Sequence, residues 1–81
     1  MSDVRVRYFA AARQAVGLAE QTLDGADGLA GVVAVASGRS PEAAAVLARC
    51  TFLVGGARRD VDGQPLPDGA TVDVLPPFAG G

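Results

Sequence analysis

The chain has 81 residues, enough for a single small domain, and its nine acidic and seven basic residues leave a net charge of −2. All seven basic residues are arginines scattered along the chain, which argues against a nucleic-acid-binding surface. The absence of histidine and lysine excludes imidazole acid–base catalysis, histidine metal sites, Schiff bases and the lysine of a P-loop. We therefore expect no metal site and no free-standing catalysis.

Several features predict a cytoplasmic protein that does not enter a membrane. The single Cys50 allows no internal disulfide, and the first residues lack the basic start and apolar run of a signal peptide. No apolar stretch is long enough to span a bilayer.

The first part of the chain predicts strand, helix and strand. Apolar and polar residues alternate from Val4 to Phe9, which is typical of a half-buried strand, and the alternation places Phe9 on the outer, arginine-bearing face. Residues 10–16 are good helix formers followed by Gly17, a common helix stop. Residues 19–23 predict a second strand that pairs antiparallel with the first.

Two helices are predicted in the middle. The first is indicated by apolar residues at helical spacing, with Asp27 as a cap and Gly38 past its end. These apolar residues are Leu29, Val32, Val33 and Ala36. The second begins with Ser40 as N-cap and Pro41 at the first helical position.

The apolar face of this second helix is predicted to be Ala43, Val46, Leu47 and Cys50. Cys50 has the spacing of a core residue, and no histidine is present to activate it. This favours a structural thiol over a nucleophile.

The last part predicts short strands joined by turns. Residues 51–54 form a strand before Gly55-Gly56, a two-residue hairpin signal, and none of the glycines has the spacing of a phosphate loop. Arg58-Arg59 indicates a solvated edge, with partner contact as the alternative. Turn sequences at residues 62–63 and 67–69 precede a last strand, Thr71 to Leu75, in which Leu75 is an apolar residue on a polar face.

The chain divides into a domain of residues 1–75 and a projecting tail of residues 76–81. Pro76-Pro77 makes a stiff spacer, and Gly80-Gly81 has no side chains, so its backbone is able to enter a narrow channel. The reactive group is the carboxylate of Gly81, which is ionised at neutral pH and needs activation, most simply adenylation by ATP on another protein. A frayed terminus is the alternative, but the large apolar Phe78 favours a docking anchor.

Two stretches resemble the MoaD family, the small subunit of molybdopterin synthase within the MoaD/ThiS sulfur-carrier superfamily. They are the segment from Val6 to Gly17, with Tyr8-Phe9-Ala10-Ala11-Ala12-Arg13, and the segment from Pro65 to Gly81. The resemblance implies an α+β, ubiquitin-like β-grasp with a mixed four- or five-stranded sheet packed by helices. Phe78 departs from the small β-branched residue common in the family, and Gly55 replaces a frequent Asn.

By this resemblance the chain is a sulfur carrier and not an enzyme alone. A MoeB-like adenylyltransferase would consume ATP to convert Gly81 to an acyl adenylate, and a persulfide donor would replace AMP to give a thiocarboxylate. The tail would then enter a MoaE-like large subunit, in an expected heterotetramer, and give its sulfur to precursor Z to build molybdopterin. Gly80 would permit threading, and no cofactor is expected to stay bound.

The β-grasp topology also implies a docking patch. Its parallel first and last strands would place Phe9 and Leu75 at one end of the sheet, beside the root of the tail. We expect Phe9, Leu75 and Phe78 to form one apolar patch, with Arg13 at its rim. Pro76, Pro77 and Ala79 complete the expected partner-binding set; scattered surface hydrophobes are the alternative.

Rival functions follow from the same terminus. A ThiS-like role in thiazole synthesis or a role in cysteine formation would use the same chemistry with another acceptor. A ubiquitin-like protein modifier would attach Gly81 to lysines of target proteins.

Overall fold

The computed structural model describes residues 2–77, which form five strands and three helices. In chain order these are β1 (Asp3–Tyr8), α1 (Ala10–Val16), β2 (Glu20–Asp24), α2 (Gly28–Ser37), α3 (Pro41–Leu47), β3 (Thr51–Val54), β4 (Ala57–Arg58) and β5 (Thr71–Leu75). Every predicted helix and strand is present. The first two strands are each shifted by one residue from their predicted bounds. β1 ends at Tyr8 because Phe9 is the N-cap residue of α1.

The strands form one mixed sheet in the order β2-β1-β5-β3-β4. The two central strands, β1 and β5, are parallel, and every other neighbouring pair is antiparallel. The antiparallel pairing of β1 with β2 is confirmed, as is the β-grasp arrangement in which the first and last strands lie side by side.

Local sequence signals explain where α1 ends and where α3 begins. Gly17 ends α1 with a left-handed φ of 85°. Ser40 precedes α3 in extended geometry, and its hydroxyl accepts a hydrogen bond of 2.9 Å from the backbone N–H of Ala43. Both predictions are confirmed.

The start of α2 differs from the prediction. Asp27 occupies the N-cap position, but its side chain makes no capping hydrogen bond. Instead the backbone carbonyl of Asp62 accepts from the N–H of Ala30 at 2.9 Å. The loop after β4 therefore supplies the cap, and Gly28, with a φ of 69°, gives it room to approach.

The core lies between the inner face of the sheet and the three helices. Its buried members are Val4, Val6, Tyr8, Ala12, Val16, Leu29, Val32, Ala36, Ala43, Leu47, Phe52, Leu66, Val72 and Val74. Leu66 was not expected there because it lies between the two predicted turns, outside every predicted helix and strand. Its N–H donates to the carbonyl of Gly25 at 2.9 Å, which fixes that loop against the start of α2.

The hairpin predicted at Gly55-Gly56 is confirmed: Val54 pairs with Ala57, and both glycines have positive φ. Within residues 2–77, no helix has the length and apolar character needed to cross a membrane.

Candidate functional site

The end of β5 is where the described part of the chain meets the predicted tail. In β5, Val72 and Val74 are buried while the residues between and after them are partly exposed, as the alternation predicted. Pro76 is buried and Pro77 is exposed, so the chain leaves the interior between the two prolines. Four predicted site residues, Phe78, Ala79, Gly80 and Gly81, lie outside the described residues.

Phe9 lies next to Leu75 at this end of the sheet. Tyr8 is the register partner of Val74, and the N–H of Phe9 donates to the carbonyl of Val74 at 3.2 Å. Because Tyr8 and Val74 point inward, the next residue on each chain points outward. The structure therefore brings together two of the residues that the sequence assigned to a docking patch.

Thr51 extends this surface onto a third strand. It is the register partner of Leu75, and like Leu75 it is partly exposed. We call Phe9, Leu75 and Thr51 the root surface. Phe9 is its most exposed apolar member, at 38%.

A residue with left-handed backbone geometry directly follows Phe9. Phe9 has extended geometry, with φ −119° and ψ 149°, and it precedes the first residue of α1. Ala10 follows with a φ of 48°, a left-handed value that is unfavourable for alanine. Strain of this kind persists where the surrounding structure imposes it and is common at functional sites.

Arg13 lies one helical turn beyond Phe9. Its N–H donates to the carbonyl of Phe9 at 3.4 Å, and its side chain is exposed. Among the described residues the side chain forms no ion pair.

An arginine paired with a carboxylate lies beside the root surface and was not predicted from the sequence. The guanidinium of Arg7 donates to both carboxylate oxygens of Asp73, at 2.7 and 3.0 Å, and its central carbon lies 5.6 Å from the ring centre of Phe9. The hydrogen bond and charge of Asp73 raise the pKa of Arg7. The alternation of each strand places both residues on the outer face, but their pairing could be predicted only from the register of β1 against β5.

Cys50 behaves as a structural thiol, although α3 ends before it. The helix stops at Leu47, because the chain turns there toward β3, so placing Cys50 on the helix was wrong. The thiol is partly buried against the core and donates to the carbonyl of Val46 at 3.3 Å. Burial raises its pKa, which keeps it protonated at neutral pH.

Across residues 2–77 there is no cluster of three acidic or cysteine side chains that would hold a metal, and no pocket for a small molecule. What this part of the chain presents is an apolar surface, flanked by arginines, where the last strand ends.

Comparison with known proteins places these features in one family. The ThiS family matches residues 6–81. The molybdopterin synthase sulfur carrier subunit of Chlamydomonas reinhardtii is 33% identical over 86 residues, covering 98% of this chain and 99% of that protein.

Solved structures agree with this assignment. A putative molybdopterin converting factor subunit 1 from Pyrococcus furiosus is 26% identical, with a TM-score of 0.79, over 96% of this chain and 100% of that chain.

Two further structures have lower identity and establish the shared fold only. One is a complex of subunits 1 and 2 of the molybdopterin-converting factor from Helicobacter pylori (24% identity, TM-score 0.71, 98% of this chain and 99% of that chain). The other is small archaeal modifier protein 1 from Methanosarcina acetivorans (23% identity, TM-score 0.81, 100% and 98%). The family match over nearly the whole chain and the β-grasp topology agree: this chain belongs to the ThiS family, within the MoaD/ThiS superfamily of sulfur carriers.

Proposed function

We propose that this chain carries sulfur as a thiocarboxylate on Gly81 and delivers it as the small subunit of molybdopterin synthase. The observation that carries the proposal is the family match through Gly81, together with a relative whose name is molybdopterin synthase sulfur carrier subunit. The described residues support it because Phe9 is partly exposed beside the end of β5, the strand that leads to the tail.

The chemistry follows from the reactivity of a carboxylate. At neutral pH the carboxylate of Gly81 is ionised and resists attack by a nucleophile. A MoeB-like adenylyltransferase would join it to the AMP of ATP, releasing pyrophosphate. The outer sulfur of a persulfide donor would then attack the carbonyl carbon and displace AMP, giving an acyl disulfide, and a thiol reductant would cleave its S–S bond to release the thiocarboxylate and leave the donor sulfur in a new disulfide. The resulting thiocarboxylate carries a far better nucleophile than oxygen, which suits it to give sulfur to precursor Z.

We propose that the root surface docks on a MoaE-like large subunit. Phe9 and Leu75 lie beside the strand end from which the tail continues, so a partner that receives the tail also covers them. Arg13, exposed one turn from Phe9, is placed to meet a carboxylate of that partner.

Intact-mass measurement tests the carrier chemistry directly. The purified chain, first shown by mass to end at Gly81, is incubated with ATP, an adenylyltransferase, a persulfide donor and a thiol reductant. We expect exchange of one oxygen for one sulfur. A short extension after Gly81 should abolish the exchange, whereas the same extension before Met1 should not. Exchange in the C-terminally extended chain would show that the terminal carboxylate is not the carrier.

A protein-modifier role is the second candidate, because the fold is shared with an archaeal modifier protein. The chain has no lysine, so any conjugate would form on other proteins and not on a second copy through lysine. In the same incubation, supplemented with cell extract, a modifier would give covalent adducts on other proteins. A carrier would give only the sulfur exchange.

A further inference from the structure

Arg7 and Asp73 form a fixed unit on the outer face of the sheet. They are direct register partners on the parallel strands β1 and β5, and the two hydrogen bonds of 2.7 and 3.0 Å use one edge of the guanidinium. Two parallel hydrogen bonds restrict the orientation of the guanidinium plane, which one bond would not do. The carboxylate is 17% exposed and the arginine side chain 45%. The guanidinium is therefore held in place while remaining open to a partner.

The same guanidinium lies over Phe9. Its central carbon is 5.6 Å from the centre of the ring, within the range of a cation–π contact. Arg7 and Phe9 are two residues apart and share the outer side of the sheet. The three side chains thus form a chain of contacts in which Asp73 orients Arg7 and Arg7 contacts the ring.

We infer that Arg7, oriented by Asp73, is a positioning residue that holds the ring of Phe9 in its docking conformation and so sets the affinity for the large subunit. This inference rests on the proposed function. An aromatic side chain that is ordered before binding loses less rotamer freedom when the partner covers it. An exposed ion pair contributes little to folding stability, so the main effect of this unit should appear in binding.

Asp73→Asn is the variant that separates positioning from side-chain size and from the presence of Arg7. It keeps the shape of the side chain and leaves Arg7 in place, but it removes the charge that orients the guanidinium. Arg5→Gln is the matched control for Arg7→Gln: Arg5 is on the same face of the same strand, opposite Thr71, and within residues 2–77 it has no ion pair. Arg7→Lys keeps the charge but loses the planar, two-bond geometry.

The experiment measures affinity for the large subunit by titration calorimetry, with thermal unfolding of each variant alone. We expect Asp73→Asn, Arg7→Gln and Arg7→Lys each to weaken binding by roughly threefold to tenfold, and Arg5→Gln by less than about twofold. In a Phe9→Ala background, Asp73→Asn should cause no further loss. An equal loss in both backgrounds would show that the pair acts independently of Phe9 and would overturn the inference.

A second measurement uses the chain without any partner. With fluorine-labelled phenylalanine, the resonance of Phe9, assigned from Phe9→Ala, should shift in Asp73→Asn and not in Arg5→Gln. An unchanged resonance would refute positioning even if binding changed. If the wild-type chain did not bind the large subunit at all, the proposed function would fail, whereas wild-type binding with unaltered Asp73→Asn affinity would refute only the inference.

Discussion

Replacing Phe9 by alanine should weaken binding to the large subunit about 25-fold. Phe9 is 38% exposed. Because a phenylalanine is able to bury about 200 Å², docking would cover the roughly 75 Å² of Phe9 that is exposed in the free chain. At about 25 cal/mol per Å², that area contributes about 2 kcal/mol to the free energy of binding. A loss of this size corresponds to about 25-fold in Kd.

Titration calorimetry against the large subunit measures this loss, with Val35→Ala as the matched control. The exposed fraction of Val35, 56%, is greater than that of Phe9. Val35 lies on α2, in the helical layer on the other side of the sheet from the root surface. We expect its replacement to change Kd by less than about twofold, because scattered surface hydrophobes contribute little to a distant interface.

Two results would contradict this reasoning. If Phe9→Ala bound with wild-type affinity while remaining folded, the root surface would not be the docking site. If Val35→Ala caused the larger loss, the partner would bind the helical layer instead. Thermal unfolding of each variant alone ensures that the titrated protein is folded.

Three further predictions concern stability. In denaturant titration, Gly28→Ala should lower the free energy of unfolding by roughly 2–5 kcal/mol, because Gly28 has a φ of 69° and a Cβ there would collide with the backbone of Gln64. Gly55→Ala is the control: Gly55 has a φ of 58° but open space around it, so this variant should lower the free energy of unfolding by only about 1 kcal/mol. Ser40→Ala should cost about 1 kcal/mol by removing the cap of α3, and a cost near zero would contradict the role of that hydrogen bond. Burial raises the pKa of Tyr8 to about 12, above its ordinary value, so the tyrosine stabilises the fold fully below about pH 10 and this contribution is lost as the pH rises through about 12. Denaturant titrations across that window should show the free energy of unfolding of the wild type decline by about 3 kcal/mol, and that of Tyr8→Phe decline by less.

The features that local rules govern were predictable from the sequence. The start of α3 depends on Ser40 and Pro41, which act through their own dihedrals and one hydrogen bond three residues away. The outward position of Phe9 follows from the period of β1. The resemblance then added the parallel pairing of β1 with β5, from which the position of Phe9 at the same end of the sheet as Leu75 follows.

Features that depend on distant segments were missed. Arg7 and Asp73 are 66 residues apart, and only the register of two strands brings them together. The loop carbonyl of Asp62 replaces the predicted side-chain cap of α2, and Leu66 enters the core from a stretch with no periodic pattern. Each involves a contact whose partner cannot be identified from neighbouring residues.

The position of β5 connects recognition with chemistry. This strand is paired on both sides, with β1 and with β3, and its inward valines are buried, so moving its end would disrupt two ladders and the core at once. Leu75 belongs both to this strand and to the root surface, and it directly precedes Pro76 and Pro77. A partner that docks on the root surface therefore fixes where the chain toward Gly81 begins. On the proposed function, Phe9 serves recognition and Gly81 serves sulfur chemistry, so substitutions at the two positions should separate these functions, while β5 keeps the position of Leu75 relative to Phe9 constant.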